Sequence, residues 1–161
     1  MAKRGGGTPA LVALDRAGVP HTLHPYDVDA DEPNYGALVA AAIGIADDRV
    51  FKTLVALADS QPVVAVVPVA GHLSLKALAA AVGAKRAEMA PIEMAERLSG
   101  YVHGGISPFG QRKRLATVLD ASARDHDRIY VSAGRRGLQV GVAPDDLARL
   151  LAATVAAIAA P

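Results

Sequence analysis

The sequence predicts an α+β fold: one domain with a mixed or antiparallel sheet and flanking helices. Two strongly apolar stretches, 49–57 (RVFKTLVAL) and 62–69, lie either side of a short polar turn through Asp59 and Gln61, which reads as a β-hairpin. Several short helical phrases carry their own start and stop residues. Strands and helices then follow one another irregularly rather than in strict βαβ repeats, which disfavours a parallel doubly wound sheet. A chain of 161 residues can bury a core without metal or disulfide staples. Residues 1–7 read as a flexible tail and 8–161 as the domain.

The first helix is announced by Thr8 as N-cap, Pro9 at the first helical position and Gly18 past its end. Residues 19–26 form a strand carrying His21 and His24, which such a strand points to opposite faces. A shared metal is therefore not expected there. Residues 27–36 (DVDADEPNYG) are polar and turn-rich, a surface loop whose unusual member is Tyr35. A helix over 37–43, ended by Gly44, and the 49–57/62–69 hairpin come next. Ser74 caps a helix over 75–82, closed by Gly83. A short strand at 85–89 and a helix over 91–98 precede a glycine-rich stretch. Strands at 115–119, 128–132 and 138–142 follow, the last two joined by AGRRG. Pro144 opens a final helix with Asp145 and Asp146 in its first turn.

Composition narrows the function. Cysteine is absent, which removes a disulfide framework, a thiolate zinc site and a protein cysteine nucleophile, and agrees with a cytoplasmic protein. A net charge of +1 gives no global field. Contact with nucleic acid must then come from local patches: Lys3 and Arg4, Lys85 and Arg86, Arg112 to Arg114, or Arg135 and Arg136. The N-terminus lacks the apolar core of a signal peptide, and the apolar run 147–160 is short and broken by Arg149, so no membrane contact is expected. Ser132 has no histidine or aspartate near it in sequence, and His72, His103 and His126 are unpaired.

Two places could carry chemistry. Lys52 interrupts an otherwise buried strand, so its ammonium either reaches water along its stem or serves as the cation of a polar cavity. In 101–114 (YVHGGISPFGQRKR), Gly104, Gly105 and Gly110 surround Ser107 and Pro108. The backbone can bend there and turn N–H groups outward, as a phosphate, carboxylate or oxyanion requires. Arg112, Lys113 and Arg114 follow directly, making an anion-binding wall. Tyr35 caps a core edge, stacks on a base or covers a pocket. Arg135 and Arg136 read as a solvated hairpin tip.

The phrases TPALVALDRAGV, VFKTLVAL, VVPVAGHLSLKALA, GYVHGGISPFGQRKRL and IYVSAGRRGL, in this order, resemble the YbaK-type aminoacyl-tRNA deacylases. These are free-standing relatives of the editing domain of bacterial prolyl-tRNA synthetases. The resemblance runs from about Thr8 to the C-terminal helix, and GGISP is similar to the Cys-tRNA(Pro) branch. It implies the editing-domain α+β fold and hydrolysis of the cysteinyl ester of tRNA(Pro), with Cys-tRNA(Cys) as a further substrate. The family's essential lysine falls on Lys52, its G-x-x-x-P loop on Gly104 and Pro108, its pocket aromatics on Tyr26 and Tyr35, and its pocket serine on Ser132. Thr53 beside the lysine joins the substrate-binding set. The resemblance further implies a reaction without metal or cofactor in which the substrate's own thiol attacks its carbonyl and releases a thiolactone.

On that basis the backbone amides of Gly104, Gly105, Ile106 and Ser107 are assigned to the oxyanion, and Lys52 to the terminal ribose or phosphate. Arg112, Lys113, Arg114, Arg135 and Arg136 are assigned to the tRNA backbone. The expected partners are the acceptor end of an aminoacyl-tRNA and, transiently, prolyl-tRNA synthetase; the oligomeric state is monomer or weak dimer. The chain departs from the family at Gln139, where many members have aspartate, and at Tyr35, where phenylalanine is commoner. A neutral amide at 139 would hold a substrate α-amino group less strongly than a carboxylate. The alternatives are an Ala- or Ser-tRNA editor and a non-catalytic tRNA-binding adaptor.

Overall fold

The computed structural model describes residues 7–29 and 31–161, so Lys3, Arg4 and the tail up to residue 6 lie outside the described residues. In chain order the elements are α1 (Pro9–Ala17), β1 (Thr22–Pro25), α2 (Tyr35–Ile43), β2 (Phe51–Ala58), β3 (Gln61–Pro68), β4 (His72–Leu73), α3 (Leu75–Ala81), β5 (Ala87–Met89) and α4 (Ile92–Ser99). After the glycine-rich loop come β6 (Ala116–Asp120), a 3-10 turn (Ala121–Asp125), β7 (Ile129–Arg135), β8 (Leu138–Val142), α5 (Pro144–Leu151), β9 (Thr154–Ala156) and β10 (Ala159–Ala160).

The main sheet has the order β5-β2-β3-β6-β9 and is mixed: β2 pairs antiparallel with β3 and β5, while β6 runs parallel to both β3 and β9. A second, antiparallel sheet has the order β1-β8-β7. The β2–β3 hairpin is as the sequence indicates. Asp59 and Ser60 at its turn both take positive φ, the twist-matched solution for a two-residue loop. Asp59 also accepts the N–H groups of Lys85 and Arg86, so these two cations precede β5 rather than belonging to it.

Strand alternation divides the main sheet's faces. Phe51, Val64, Val66 and Leu119 pack towards α1, α5 and the second sheet; Ala56, Ala65, Val67 and Val118 pack towards α3 and Ile158. Where the sheets meet, Val50 forms a parallel bridge with Tyr130, and the Tyr130 N–H donates to the Arg49 carbonyl. The Arg49 guanidinium lies 5.7 Å from the centre of the Tyr130 ring and donates to the Arg128 carbonyl, clamping this joint.

Some sequence boundaries move. Tyr35 is the first residue of α2, not part of the preceding loop, because Asn34 adopts the left-handed conformation and turns the chain into the helix early. The strand expected at 19–26 shortens to β1, since only Thr22 to Pro25 find partners on β8. The strand read at 128–132 extends to Arg135 through a bulge after Ser132. The apolar residues beyond Leu151 do not stay helical: Ala152 takes φ 49, and the chain turns back into β9 and β10.

That return rests on Asp120. Its carboxylate is almost wholly buried and accepts from the N–H groups of Ile158 at 2.8 Å and Ala159 at 2.9 Å, and from both N–H and hydroxyl of Ser122. Burial alone would raise its pKa, but these hydrogen bonds outweigh it and hold the group below the ordinary aspartate value. The charged form is therefore the stabilising one: its contribution is present above the unfolded pKa of about 3.9 and lost as pH falls through the lower folded value. Replacing Asp120→Ala should cost about 2–3 kcal/mol by orphaning buried N–H groups, read as a lowered denaturation midpoint, and the gap to the parent should close in acid. An unchanged midpoint at neutral pH would show that the C-terminal strands do not need this carboxylate.

Candidate functional site

The ladder on the outer edge of β2 is incomplete. β5 pairs only with Ala56–Ala58, and the Ala90 N–H adds one bond to the Val55 carbonyl, so the strand edge before Val55 has no β5 residue beside it. A cavity of about 260 Å3 occupies that gap. Its floor is β2; the remaining walls are α2, the chain from Met89 into α4, the loop at 103–106 and the β7–β8 pair.

Lys52, Thr53, Tyr35, Gly104, Ile106, Ser132 and Gln139 all line this one cavity. They come from four separate stretches of the chain. Ser132 and Gln139 are cross-strand partners and therefore share a face beside the bulge. Lys52 is half-buried, its pKa is lowered by desolvation, and it makes no ion pair among the described residues. Lys52 thus borders the cavity from a half-buried position on β2. Thr53 Oγ1 and Gln139 Oε1 are buried oxygens with no hydrogen-bond partner among the described residues. Ser132 Oγ, by contrast, accepts from the Gly134 N–H at 3.2 Å.

The glycine-rich loop is fixed from several directions. The Tyr101 hydroxyl donates to the Phe109 carbonyl at 2.6 Å, closing its base, and burial pushes the Tyr101 phenol up to about 12. Glu96 Oε2 accepts the His103 N–H at 2.8 Å, and Arg136 Nε donates to the His103 carbonyl at 2.8 Å. Arg136 at the hairpin tip thus buttresses the loop rather than standing free in solvent. Gly104 has φ +88, and a Cβ there would come within 2.8 Å of Arg136 Nε. At Gly105 a Cβ would lie 2.8 Å from backbone atoms of both Arg135 and Arg136, so only glycine permits this approach.

Not every sequence-assigned residue reaches the cavity. The Gly105 N–H is taken by the Val102 carbonyl at 2.9 Å, which removes it as an oxyanion donor. The amides of Gly104, Ile106 and Ser107 have no protein acceptor among the described residues. Ser107 itself is fully buried, and its Oγ accepts from the Phe109 N–H. Pro108, Lys113 and Arg114 line a different depression of about 230 Å3 between the loop, α1 and α5. Arg112, Lys113 and Arg114 are exposed, as are Arg135 and Arg136. Tyr26 does not line the cavity. It reaches Tyr35, hydroxyl to hydroxyl, at 2.7 Å, and burial followed by this bond raises the Tyr35 pKa.

His103, read from sequence only as an unpaired histidine, lines the same space, as do the apolar residues Val39, Met89, Ile92 and Ala95, which sequence reasoning missed. His103 adjoins Gly104 and could have been flagged for that. The apolar residues carried no signal, because a residue that walls a cavity has the same sequence pattern as one that packs a core.

Comparison with known proteins places this architecture. The family model described as the aminoacyl-tRNA editing domain matches residues 36–150. A protein of Enterococcus faecalis (strain ATCC 700802 / V583), named "Putative Cys-tRNA(Pro)/Cys-tRNA(Cys) deacylase EbsC", is 38% identical over 144 residues, 89% of this chain and 87% of the relative. A crystal structure described as "a putative trans-editing enzyme for prolyl tRNA synthetase" superposes with a TM-score of 0.83 at 20% identity, covering 99% of this chain and 100% of the other. A scaffold protein from a computational epitope-grafting study gives 0.82 at 19% identity, covering 99% of both chains. At such identities the two structures speak to fold alone.

The close approach of Gly105 to the hairpin gives a direct check. Gly105→Ala should lower stability by about 1–3 kcal/mol in denaturant titration, because backbone atoms cannot yield cheaply to the added methyl. Gly7→Ala, where a Cβ meets nothing within 4 Å, should leave the midpoint unchanged. Equal midpoints for the two variants would mean that loop and hairpin are not in contact.

Proposed function

The chain belongs to the aminoacyl-tRNA editing-domain family, and from that premise we propose that it hydrolyses the cysteinyl ester of mischarged Cys-tRNA(Pro) in trans, with Cys-tRNA(Cys) as a further substrate. The observation that carries this reading is one cavity holding a cation, unpaired loop amides and buried polar side chains at the open edge of β2. Its volume, about 260 Å3, falls below the roughly 300–1,000 Å3 of pockets for drug-sized ligands, which suits a small aminoacyl group.

In the proposed reaction the cysteinyl thiol is the nucleophile. Its sulfur bonds to the ester carbonyl carbon, the bond from that carbon to the ribose oxygen breaks, and the thiol proton passes to the departing oxygen. The products are a tRNA with a free 3′ terminus and a cyclic thiolactone, which water then opens. A thiol held in attack geometry carries an effective molarity on the order of 10⁵ M or more, so the protein need not supply a nucleophile. Its tasks are orientation and stabilisation of negative charge. The amides of Gly104 and Ile106 are the donors available to the oxyanion, since Ser107 is buried outside the cavity lining, and Lys52 holds the terminal ribose or phosphate.

Tyr35, pinned by Tyr26, walls the site or stacks on the terminal adenine, and Pro108 shapes the loop from outside the cavity. Arg112, Lys113 and Arg114, with Arg135 and Arg136, sit where a nucleic-acid backbone can reach them and would add salt-dependent affinity. We extend the reading to cytoplasmic action and a transient complex with prolyl-tRNA synthetase. Among the described residues no helix is long and apolar enough to cross a membrane.

Two measurements test this. Single-turnover deacylation of Cys-tRNA(Pro) by Lys52→Ala should be about 10- to 100-fold slower than by the parent, the scale of one lost charge-assisted hydrogen bond. Equal rates would remove Lys52 from the mechanism. Ser-tRNA(Pro), which offers a hydroxyl in place of the thiol, should remain intact under conditions that clear Cys-tRNA(Pro), and comparable hydrolysis of both would rule out the thiol-assisted route.

A further inference from the structure

The glycine-rich loop separates two spaces. Gly104 and Ile106 border the cavity on one side, while Pro108, Gly110 and Gln111 wall the depression of about 230 Å3 against α1 and α5 on the other. Ile106 and Pro108 are two residues apart, so their Cα atoms lie within about 7 Å of each other. A strand whose end is held in the cavity has the depression within reach.

The walls of this depression are fixed by the chain. Gly110 has φ +63, and a Cβ there would strike the Pro9 carbonyl, which sets the loop directly on the first turn of α1. Gln111 Nε2 donates to the Ser107 carbonyl at 2.9 Å and the Lys113 N–H to the Leu98 carbonyl at 3.0 Å, holding the loop's return. Four half-buried apolar side chains line the space, Ala13 from α1, Leu115 from the loop's end, and Leu150 and Leu151 from α5. Two exposed cations, Lys113 and Arg114, share the lining. Among the described residues no carboxylate lines it, and neither cation is in an ion pair.

Apolar walls beside two free cations suit a ligand that is flat and weakly polar in one part and anionic in the next, as a nucleotide is. The volume falls below the roughly 300–1,000 Å3 of sites for drug-sized ligands, which fits one base and not a base pair. At the acceptor end of a tRNA the unpaired bases are those of the 3′ segment that carries the ester.

We propose that the depression between the glycine-rich loop, α1 and α5 receives one unpaired base of the acceptor strand, upstream of the terminal adenosine, with Lys113 and Arg114 on its flanking phosphates. This rests on the deacylase reading above and adds a second subsite to it. Because the accessible walls are aliphatic, the subsite grips the strand with little regard to which base it holds.

The test uses a non-acylated RNA hairpin carrying the acceptor stem of tRNA(Pro) and its unpaired 3′ segment, together with versions that have one abasic unit at each unpaired position before the terminal adenosine. The Kd of each is read by fluorescence anisotropy. One abasic position should weaken binding about 5- to 10-fold, the lower end of what a stacked base is worth. Ala13→Leu, which fills the depression, should abolish that loss while keeping the salt dependence, and Lys113→Gln and Arg114→Gln should each lower the slope of log K against log salt by about 0.7. A 4-thiouridine at the sensitive position should photo-crosslink to residues 108–117 or 144–151 of the unaltered protein, a readout that needs no variant to fold. Equal Kd for all the abasic hairpins, a loss that persists in Ala13→Leu, or crosslinks confined to α2 or α4 would overturn the inference. So would a hairpin that does not bind, or AMP displacing the hairpin with an affinity equal to the hairpin's own, which would assign the depression to free nucleotides. None of these outcomes involves turnover, so the deacylase reading stands or falls separately on hydrolysis of Cys-tRNA(Pro).

Discussion

An unfinished β-ladder determines where this molecule has space. β5 covers β2 only at Ala56–Ala58, while the Val50–Tyr130 bridge draws the second sheet against the other end of the same strand. Between those two points the edge of β2 can be neither paired nor packed shut. An exposed edge normally has to be blunted or covered. Here α2, the start of α4, the glycine loop and the β7–β8 bulge enclose it without filling it, so the strand edge becomes the floor of a cavity.

The enclosure depends on close backbone approach. The β7–β8 tip lies against the glycine loop at a distance that a single methyl at Gly105 would violate, and Arg136 secures the contact by donating to His103. The loop in turn is closed by Tyr101 and Phe109 and tied to α4 through Glu96. These bonds fix the backbone of the loop where it borders the cavity. The bulge after Ser132 serves the same end, letting the hairpin reach the loop while Ser132 and Gln139 keep a common face.

The polar groups in the cavity run against the economy of folding. A desolvated lysine without a carboxylate and two buried oxygens without donors would be repaired in a site built only for stability. Asp120 shows how the same chain treats a buried charge meant for structure, surrounding it with donors from Ser122, Ile158 and Ala159. The contrast separates a carboxylate that holds the fold from a cavity left unsatisfied in the folded chain.

Local signals alone determined much of this protein. Thr8 and Ser74 accept the helix N–H groups that their positions imply, Gly18 takes the left-handed C-cap, and the apolar runs around Asp59 pair as a hairpin. Each depends on neighbours a few residues away, so sequence carries it. The motifs around Lys52 and Gly104 likewise mark the family. What tertiary structure decided is which residues share the cavity. Position 52 meets 104 and 139 only through long-range packing, Gly105 loses its amide to Val102, and Pro108 and Lys113 turn to a separate depression. Convergence of distant segments leaves no local pattern, because it is set by sheet order and by the point at which β5 stops pairing.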